Sequence, residues 1–196
     1  MARTDVQLML DVKAGDERSF ELLLRKYRTP LVNFLYRMVR DSGIAEDLAQ
    51  EVFLRVYRAR NQYVPSAKFT TWMFRIATNV ALNSVRDNRY SKLSVSIDQT
   101  VEDGEQEQKV MELRDPSPIV EQELLARGRS EIIMRAIQSL PEKQRAAVLL
   151  HKYQEMDYGE IARILECSES ALKSLLFRAY ETLRVELAPL VGAMKA

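Results

Sequence analysis

Apolar residues recur at helical spacing along most of the chain, and their interruptions divide it into segments. Asp5 to Ala14 predicts a short helix stopped by Gly15. Asp16 is placed to cap the next helix, with Phe20, Leu23, Leu24 and Tyr27 on one face. Thr29-Pro30 predicts the end of that helix, with Pro30 in the first turn of a third that buries Leu31, Phe34, Leu35 and Met38. Phe20, Phe34 and Phe53 read as core residues. After the turn Asp41-Ser42-Gly43, a helix from about Ile44 to Ala59 carries Leu48, Val52 and Val56, with Phe53 beside them. Asn61 to Lys68, with Pro65-Ser66, reads as a loop. A further helix runs from about Thr70 to Tyr90.

Ser91 to Ile119 breaks the pattern. Polar and acidic residues dominate, periodicity is weak, and Pro116 and Pro118 close the segment. It predicts a flexible linker, with a root-mean-square span of roughly 30 Å as a coil. Helical spacing returns from Val120 to Ser139 through Leu124, Leu125, Ile132, Ile133, Ala136 and Ile137. Pro141 suits the first position of the next helix, which carries Ala146, Val148, Leu149 and Leu150 to about Tyr153. Asp157 and Glu160 have capping-box spacing ahead of Ile161, Ile164 and Leu165. Glu166-Cys167-Ser168 makes a turn, and Ser168 caps a helix whose Leu172, Leu176, Ala179 and Leu183 face inward. A short helix, a three-residue turn and a longer helix form a helix-turn-helix pattern, which an ordinary helical hairpin also satisfies. The whole predicts an all-α chain of two small helical domains, residues 1–92 and 120–196, joined by a flexible acidic linker, residues 93–119.

Charge sharpens this division. The formal net charge is only +1. Residues 1–50 are balanced, with 8 basic and 8 acidic side chains. Residues 51–90 carry 7 basic and 2 acidic, residues 91–125 carry 3 and 9, and residues 126–196 carry 11 and 9. The basic block coincides with the helix that holds the only tryptophan. Single cysteine and histidine residues, Cys167 and His151, allow neither an internal disulfide nor a Cys/His metal cluster. Cys167 reads as a small residue of the turn. No nucleophile–base set or Gly-rich phosphate loop is visible, so no catalytic residue, metal or cofactor is expected. No apolar run reaches membrane-spanning length and Met1 opens no secretory signal, so a cytoplasmic protein without membrane insertion is expected.

The candidate chemistry lies on three helices. On the first, Glu46, Asp47 and Glu51 precede Arg55, Arg58 and Arg60, an order that also suits the helix dipole. On the second, Trp72, Phe74, Arg75, Asn79, Asn83, Arg86 and Arg89 interleave rings and cations, as a single-stranded nucleic-acid surface requires. The stretches Asp47-Leu48-Ala49-Gln50-Glu51-Val52-Phe53 and Phe69-Thr70-Thr71-Trp72-Met73-Phe74-Arg75-Ile76-Ala77-Thr78-Asn79 resemble the second region of bacterial sigma factors, most nearly the extracytoplasmic-function class. Ser139-Leu140-Pro141 and Lys173-Ser174-Leu175-Leu176-Phe177-Arg178-Ala179 resemble the fourth region of the same sigma-70 family. The two resemblances stand in the family's order and cover roughly residues 8–90 and 125–188.

The resemblance implies an alternative sigma factor that binds RNA polymerase core, recognises the −10 and −35 promoter elements and promotes DNA opening, with an anti-sigma factor as a further partner. It implies that Asp47, Gln50, Glu51 and Phe53 lie on the helix that docks on core. It places Thr71, Trp72, Arg75, Asn79 and Arg86 along the −10 strand, with core packing the alternative for Trp72. It gives Ser170, Lys173, Ser174, Phe177 and Arg178 to the −35 duplex. The loop of residues 61–68 would take a flipped base, and the acidic linker would thread a positive polymerase channel or act as a simple tether. Many members have arginine where this chain has Leu175 and Tyr180, and glycine where it has Ser170, which alters the expected −35 contacts. A stand-alone helix-turn-helix regulator is the alternative, but leaves both N-terminal patterns unexplained. A protein that only titrates an anti-sigma factor rests on the missing arginines alone.

Overall fold

The computed structural model describes residues 3–95 and 120–193, with side chains described for residues 3–88 and 128–190. Among them the secondary structure is helical throughout, with no strand. The helices are α1 (Asp5–Lys13), α2 (Glu17–Val39), α3 (Ser42–Arg58), α4 (Phe69–Val95), α5 (Val120–Ser139), α6 (Glu142–Tyr153), α7 (Tyr158–Leu165), α8 (Glu169–Glu186) and α9 (Ala188–Ala193). A single 3-10 turn, Arg60–Gln62, follows α3. Of the predicted linker, residues 96–119 lie outside the described residues, as do the side chains of Leu124 and Leu125.

Side-chain caps set most of the boundaries. Thr4, Asp16, Asp41 and Ser168 each accept a backbone N–H from the first turn of the helix that follows. Gly15, at φ 100°, takes the left-handed turn between α1 and α2. At Pro30 the structure departs from the expected break. Residues 17–39 form one continuous helix with Pro30 inside it. An interior proline costs about 3 kcal/mol or more in a helix. Here it is offset by an unbroken stripe on one face, where Leu23, Tyr27, Leu31, Phe34, Leu35 and Met38 are all buried. Pro141 lies one position earlier than predicted, as the N-cap of α6. Ile132 and Ile133 are only half-buried, and Met134 takes the interior position beside them. Helix α9, with Pro189 in its first turn, was not predicted.

Helices α1 to α4 pack around a core that includes Met9, Leu31, Phe34, Val52, Phe69 and Phe74. Helices α5 to α8 pack around Leu140, Leu149, Ile161, Leu172 and Leu176. These two cores are continuous. Helices α6 and α7 join them, with α5 beside α2, and in α6 every residue from Arg145 to Leu150 is buried. A helix apolar on all sides has neighbours on all sides. Helix α6 meets α7 and α8 within its own domain and α2 and α4 in the other.

Arg145 anchors this junction. Its guanidinium donates to Met38 O at 2.7 Å, Gln138 O at 2.7 Å and Leu140 O at 3.2 Å. Gln138 donates to the neighbouring Arg37 O at 2.7 Å. The last carbonyls of α2, which have no partner within the helix, are thus met by donors from the other domain. The guanidinium of Arg37 lies 4.2 Å from the ring centroid of Tyr153. Burial pushes the Arg145 guanidinium below the ordinary arginine range, against an opposing pull from Glu142. Arginine nonetheless stays charged at neutral pH.

This junction makes a prediction that reaches across the domains. Arg145→Met keeps the stem and removes the donors, leaving carbonyls short of partners, and should cost about 2–4 kcal/mol. Trp72 lies in the other domain. Its fluorescence should therefore follow urea unfolding at a lowered midpoint if the domains unfold together. An unchanged Trp72 transition would mean that they are uncoupled.

Candidate promoter and polymerase interface

Three surfaces carry the candidate residues. The first is a groove between α2 and α3. Phe20, Leu24 and Val32 line it from α2, and Ala49, Gln50, Phe53, Leu54 and Tyr57 from α3. Phe20 lies 5.0 Å from Tyr57 and 6.5 Å from Phe53, centroid to centroid. Acids Glu17, Glu21 and Glu46 also line the groove, together with Arg28. Of the four sequence candidates, Gln50 and Phe53 line the groove, and Phe53 is largely buried in doing so. Asp47 is exposed on an adjoining face, and Glu51 is bound to Arg55 at 2.7 Å. Phe34 is core as expected, and Phe20 is half-buried, packed against the core while forming part of the groove wall. The α2 half of this surface was missed because Phe20 and Leu24 have ordinary core spacing.

The second surface is one side of α4. Thr71, Arg75, Asn79 and Arg86 follow each other at helical spacing, and the last three are exposed. Arg86 donates to Asn83 Oδ1 at 2.7 Å. Trp72 satisfies neither simple alternative. It is half-buried, packed on Tyr63 at 5.0 Å and Phe69 at 6.2 Å between centroids. These rings and Tyr27, 5.5 Å from Phe69, form an aromatic cluster. Thr71 is buried, because α7 covers the start of α4. Its hydroxyl donates to Glu160 Oε1 at 3.1 Å, and Lys68 meets the same oxygen at 3.1 Å. One helical turn further on, Arg75 donates to Glu166 Oε1 at 2.5 Å.

The third surface is the exposed side of α8. The capping box at the start of α7 is complete. Glu160 N–H donates to Asp157 Oδ1 at 2.8 Å, and Asp157 N–H to Glu160 Oε2 at 3.2 Å. Buried Leu172, Leu176, Ala179 and Leu183 fix the rotation of α8. Ser170, Lys173, Ser174, Phe177 and Arg178 are therefore all exposed on the opposite side. Phe177 is 67% exposed and stands among these polar positions. Leu175 and Tyr180, the two departures noted above, turn towards the core and are half-buried. Cys167 is half-buried at the turn.

Tyr180 uses its hydroxyl within the domain, 2.7 Å from His151 Nδ1. Burial, with a further contribution from Tyr158, pushes the Tyr180 phenol up. Burial and then Lys152 push His151 down from the ordinary imidazole range. Both groups are neutral at pH 7, and the pair ties α6 to α8. Among the described residues no group of His, Cys, Asp and Glu could hold a metal ion, and no helix is long and apolar enough to cross a membrane.

Comparison with known proteins shows the family. Residues 23–90 match the sigma-70 region 2 family, and residues 130–183 match sigma-70 region 4. The chain therefore belongs to the sigma-70 family of transcription initiation factors, and its relatives place it in the extracytoplasmic-function class. It is 34% identical over 190 residues to the RNA polymerase sigma-H factor of Pseudomonas aeruginosa, covering 95% of both chains. It is 32% identical over 189 residues to the ECF RNA polymerase sigma-E factor of Escherichia coli K12, covering 96% of each. Its fold is similar to that of CnrH in complex with the cytosolic domain of CnrY, with a TM-score of 0.67, 19% identity and coverage of 93% of this chain and 96% of that one. It is also similar to the sigma factor RpoE in complex with the anti-sigma factor NepR from Bartonella quintana, with a TM-score of 0.66, 20% identity and coverage of 87% and 98%. The chain is an alternative sigma factor.

The His151–Tyr180 pair yields a pH prediction. A depressed imidazole pKa means that the unfolded chain binds the proton more readily. The stability contributed by neutral His151 is then present above the ordinary value of 6.5 and is lost as pH falls through the lowered one. His151 is the only histidine. The melting temperature should therefore fall between about pH 7 and pH 5 in the native chain and fall less in His151→Gln. Identical slopes in the two proteins would remove this role.

Proposed function

We propose that the three surfaces divide the work of initiation. The α2–α3 groove and the acidic start of α3 dock on RNA polymerase core, with Gln50 and Phe53 in the groove and Asp47 and Glu51 beside it. The α4 side takes the −10 strand. Thr71, Arg75, Asn79 and Arg86 follow its backbone, and Trp72 offers the exposed part of its ring. The α8 stripe enters the −35 major groove. There, cations Lys173 and Arg178 meet phosphates or guanine edges, Ser170 and Ser174 supply short polar contacts, and Phe177 packs against thymine methyl groups. The observation that carries this reading is the α8 stripe, whose exposed cations surround a solvent-facing phenylalanine on the second helix of a helix-turn-helix.

In this reading the chain supplies recognition and polymerase supplies the catalysis. The work takes place in the cytoplasm, with polymerase. An anti-sigma factor is a further partner, as it is for the Bartonella relative of similar fold. The domain limits 1–92 and 120–196 belong to this reading, and α4 runs on to Val95, three residues into the predicted linker.

One transcription experiment with purified core tests the division. Asp47→Lys with Glu51→Lys sets like charge against a basic docking site and should abolish co-purification with core while helicity is retained. Arg75→Ala with Asn79→Ala should bind core normally but lose permanganate reactivity at the −10 element by about tenfold or more. Normal core binding by the first pair, or normal melting by the second, would remove the corresponding assignment.

A further inference from the structure

One cation beside the α8 stripe is carried by another helix. Lys152 lies in the last turn of α6 and is exposed. Among the described residues it pairs with no carboxylate. Its ammonium stands 5.7 Å from the ring centroid of Tyr180 on α8. That ring is fixed in turn. Its hydroxyl lies 2.7 Å from His151 Nδ1, and His151 packs edge-on against Tyr158 at 5.3 Å between centroids. The pitch of α8 says where on the stripe this is. Lys173, Phe177, Tyr180 and Arg184 follow each other at steps of four, three and four residues, so they share one line along the helix. Arg178 lies on the opposite edge of the exposed side. Of the two cations on the Tyr180 line, Arg184 is bound to Glu181 at 2.7 Å. Lys152 fills the gap that Tyr180 leaves between them.

We infer that Lys152 is a phosphate-binding residue of the −35 site, held in position by the ring of Tyr180. This rests on the reading of α8 as the −35 helix. The major groove is about 12 Å wide, and a helix with its side chains is about 10–12 Å across. A helix seated there therefore has a sugar–phosphate backbone along each edge. Arg178 serves one edge. On the other, Tyr180 has no charge to offer and turns its hydroxyl to His151, so α6 supplies the cation. A ring face orients an ammonium without neutralising it, whereas a carboxylate would do both. The N–H groups of Lys152 thus stay available for a phosphate oxygen. A phosphate contact holds the duplex in register but reads no base, so Lys152 adds affinity on every sequence rather than a preference among them.

The test is the salt dependence of promoter binding by the full chain assembled with core polymerase. The probes are a fluorescent promoter duplex and the same duplex with its −35 element scrambled. Lys152→Gln should weaken binding about threefold or more on both duplexes, and should reduce the slope of log affinity against log salt by about 1. Lys152→Arg should keep the native affinity and slope. Lys143→Gln removes an exposed cation at the other end of α6 and should change neither. Tyr180→Leu should weaken binding in the native chain but add little in Lys152→Gln, where the ring has nothing to hold. A native slope in Lys152→Gln, or an equal loss in Lys143→Gln, would overturn the inference. An equal effect of Tyr180→Leu in both backgrounds would overturn the positioning role of the ring. Failure of the underlying α8 reading has a different signature: Lys173→Gln with Arg178→Gln would keep the native slope and the native preference for the intact −35 element.

Discussion

The burial of α6 on every side is the constraint from which the rest of the arrangement follows. A helix in which six consecutive residues are hidden cannot be satisfied by one small domain. It draws α7 and α8 to one side and α2 and α4 to the other. Arg145 makes the second contact specific. A buried guanidinium needs acceptors, and it finds them in the carbonyl end of α2 together with two carbonyls of its own domain. Once α6 is held against α2 and α4, α7 is brought over the start of α4, and Glu160 and Glu166 come within reach of Thr71, Lys68 and Arg75.

The energetic character of the interface suits a reversible contact. The Arg75–Glu166 pair is exposed on both sides and contributes little by itself. Glu160 is different. It is buried, and two of its three partners belong to the other domain. On opening, water replaces Thr71 and Lys68, while the capping bond to Asp157 N–H remains. The C-terminal domain can thus leave α4 with its own helix cap in place.

Features written in local spacing were legible in the sequence. The capping box of Asp157 and Glu160, the Ser168 cap and the inward stripe of α8 follow from residues three to seven apart, and these fixed the helix-turn-helix. The motif residues of α3 and α4 likewise fell on the helices expected. Pro30 misled because local propensity argues for a break, whereas the stripe through Leu23, Tyr27, Leu31 and Phe34 needs a continuous helix. The contacts that close the molecule had no local signal at all. Thr71 and Glu160 are 89 residues apart, and Met38 and Arg145 are 107 apart. Glu160 already had a sufficient explanation as a cap, and Arg145 looks like any surface cation on a short helix. Only the assembled fold shows that each has a second partner.

The central claim is that α6 and α7 hold the C-terminal domain against α2 and α4 in the free chain. The most direct measurement is a spin-label distance between Asn88 on α4 and Glu169 at the start of α8, with Cys167→Ser to leave only the introduced cysteines. Both positions are exposed. The free chain should give one narrow distance, and Arg145→Met, which removes the donors at the junction, a broad distribution. A broad distribution in the native chain, or an unchanged narrow one in Arg145→Met, would contradict the account.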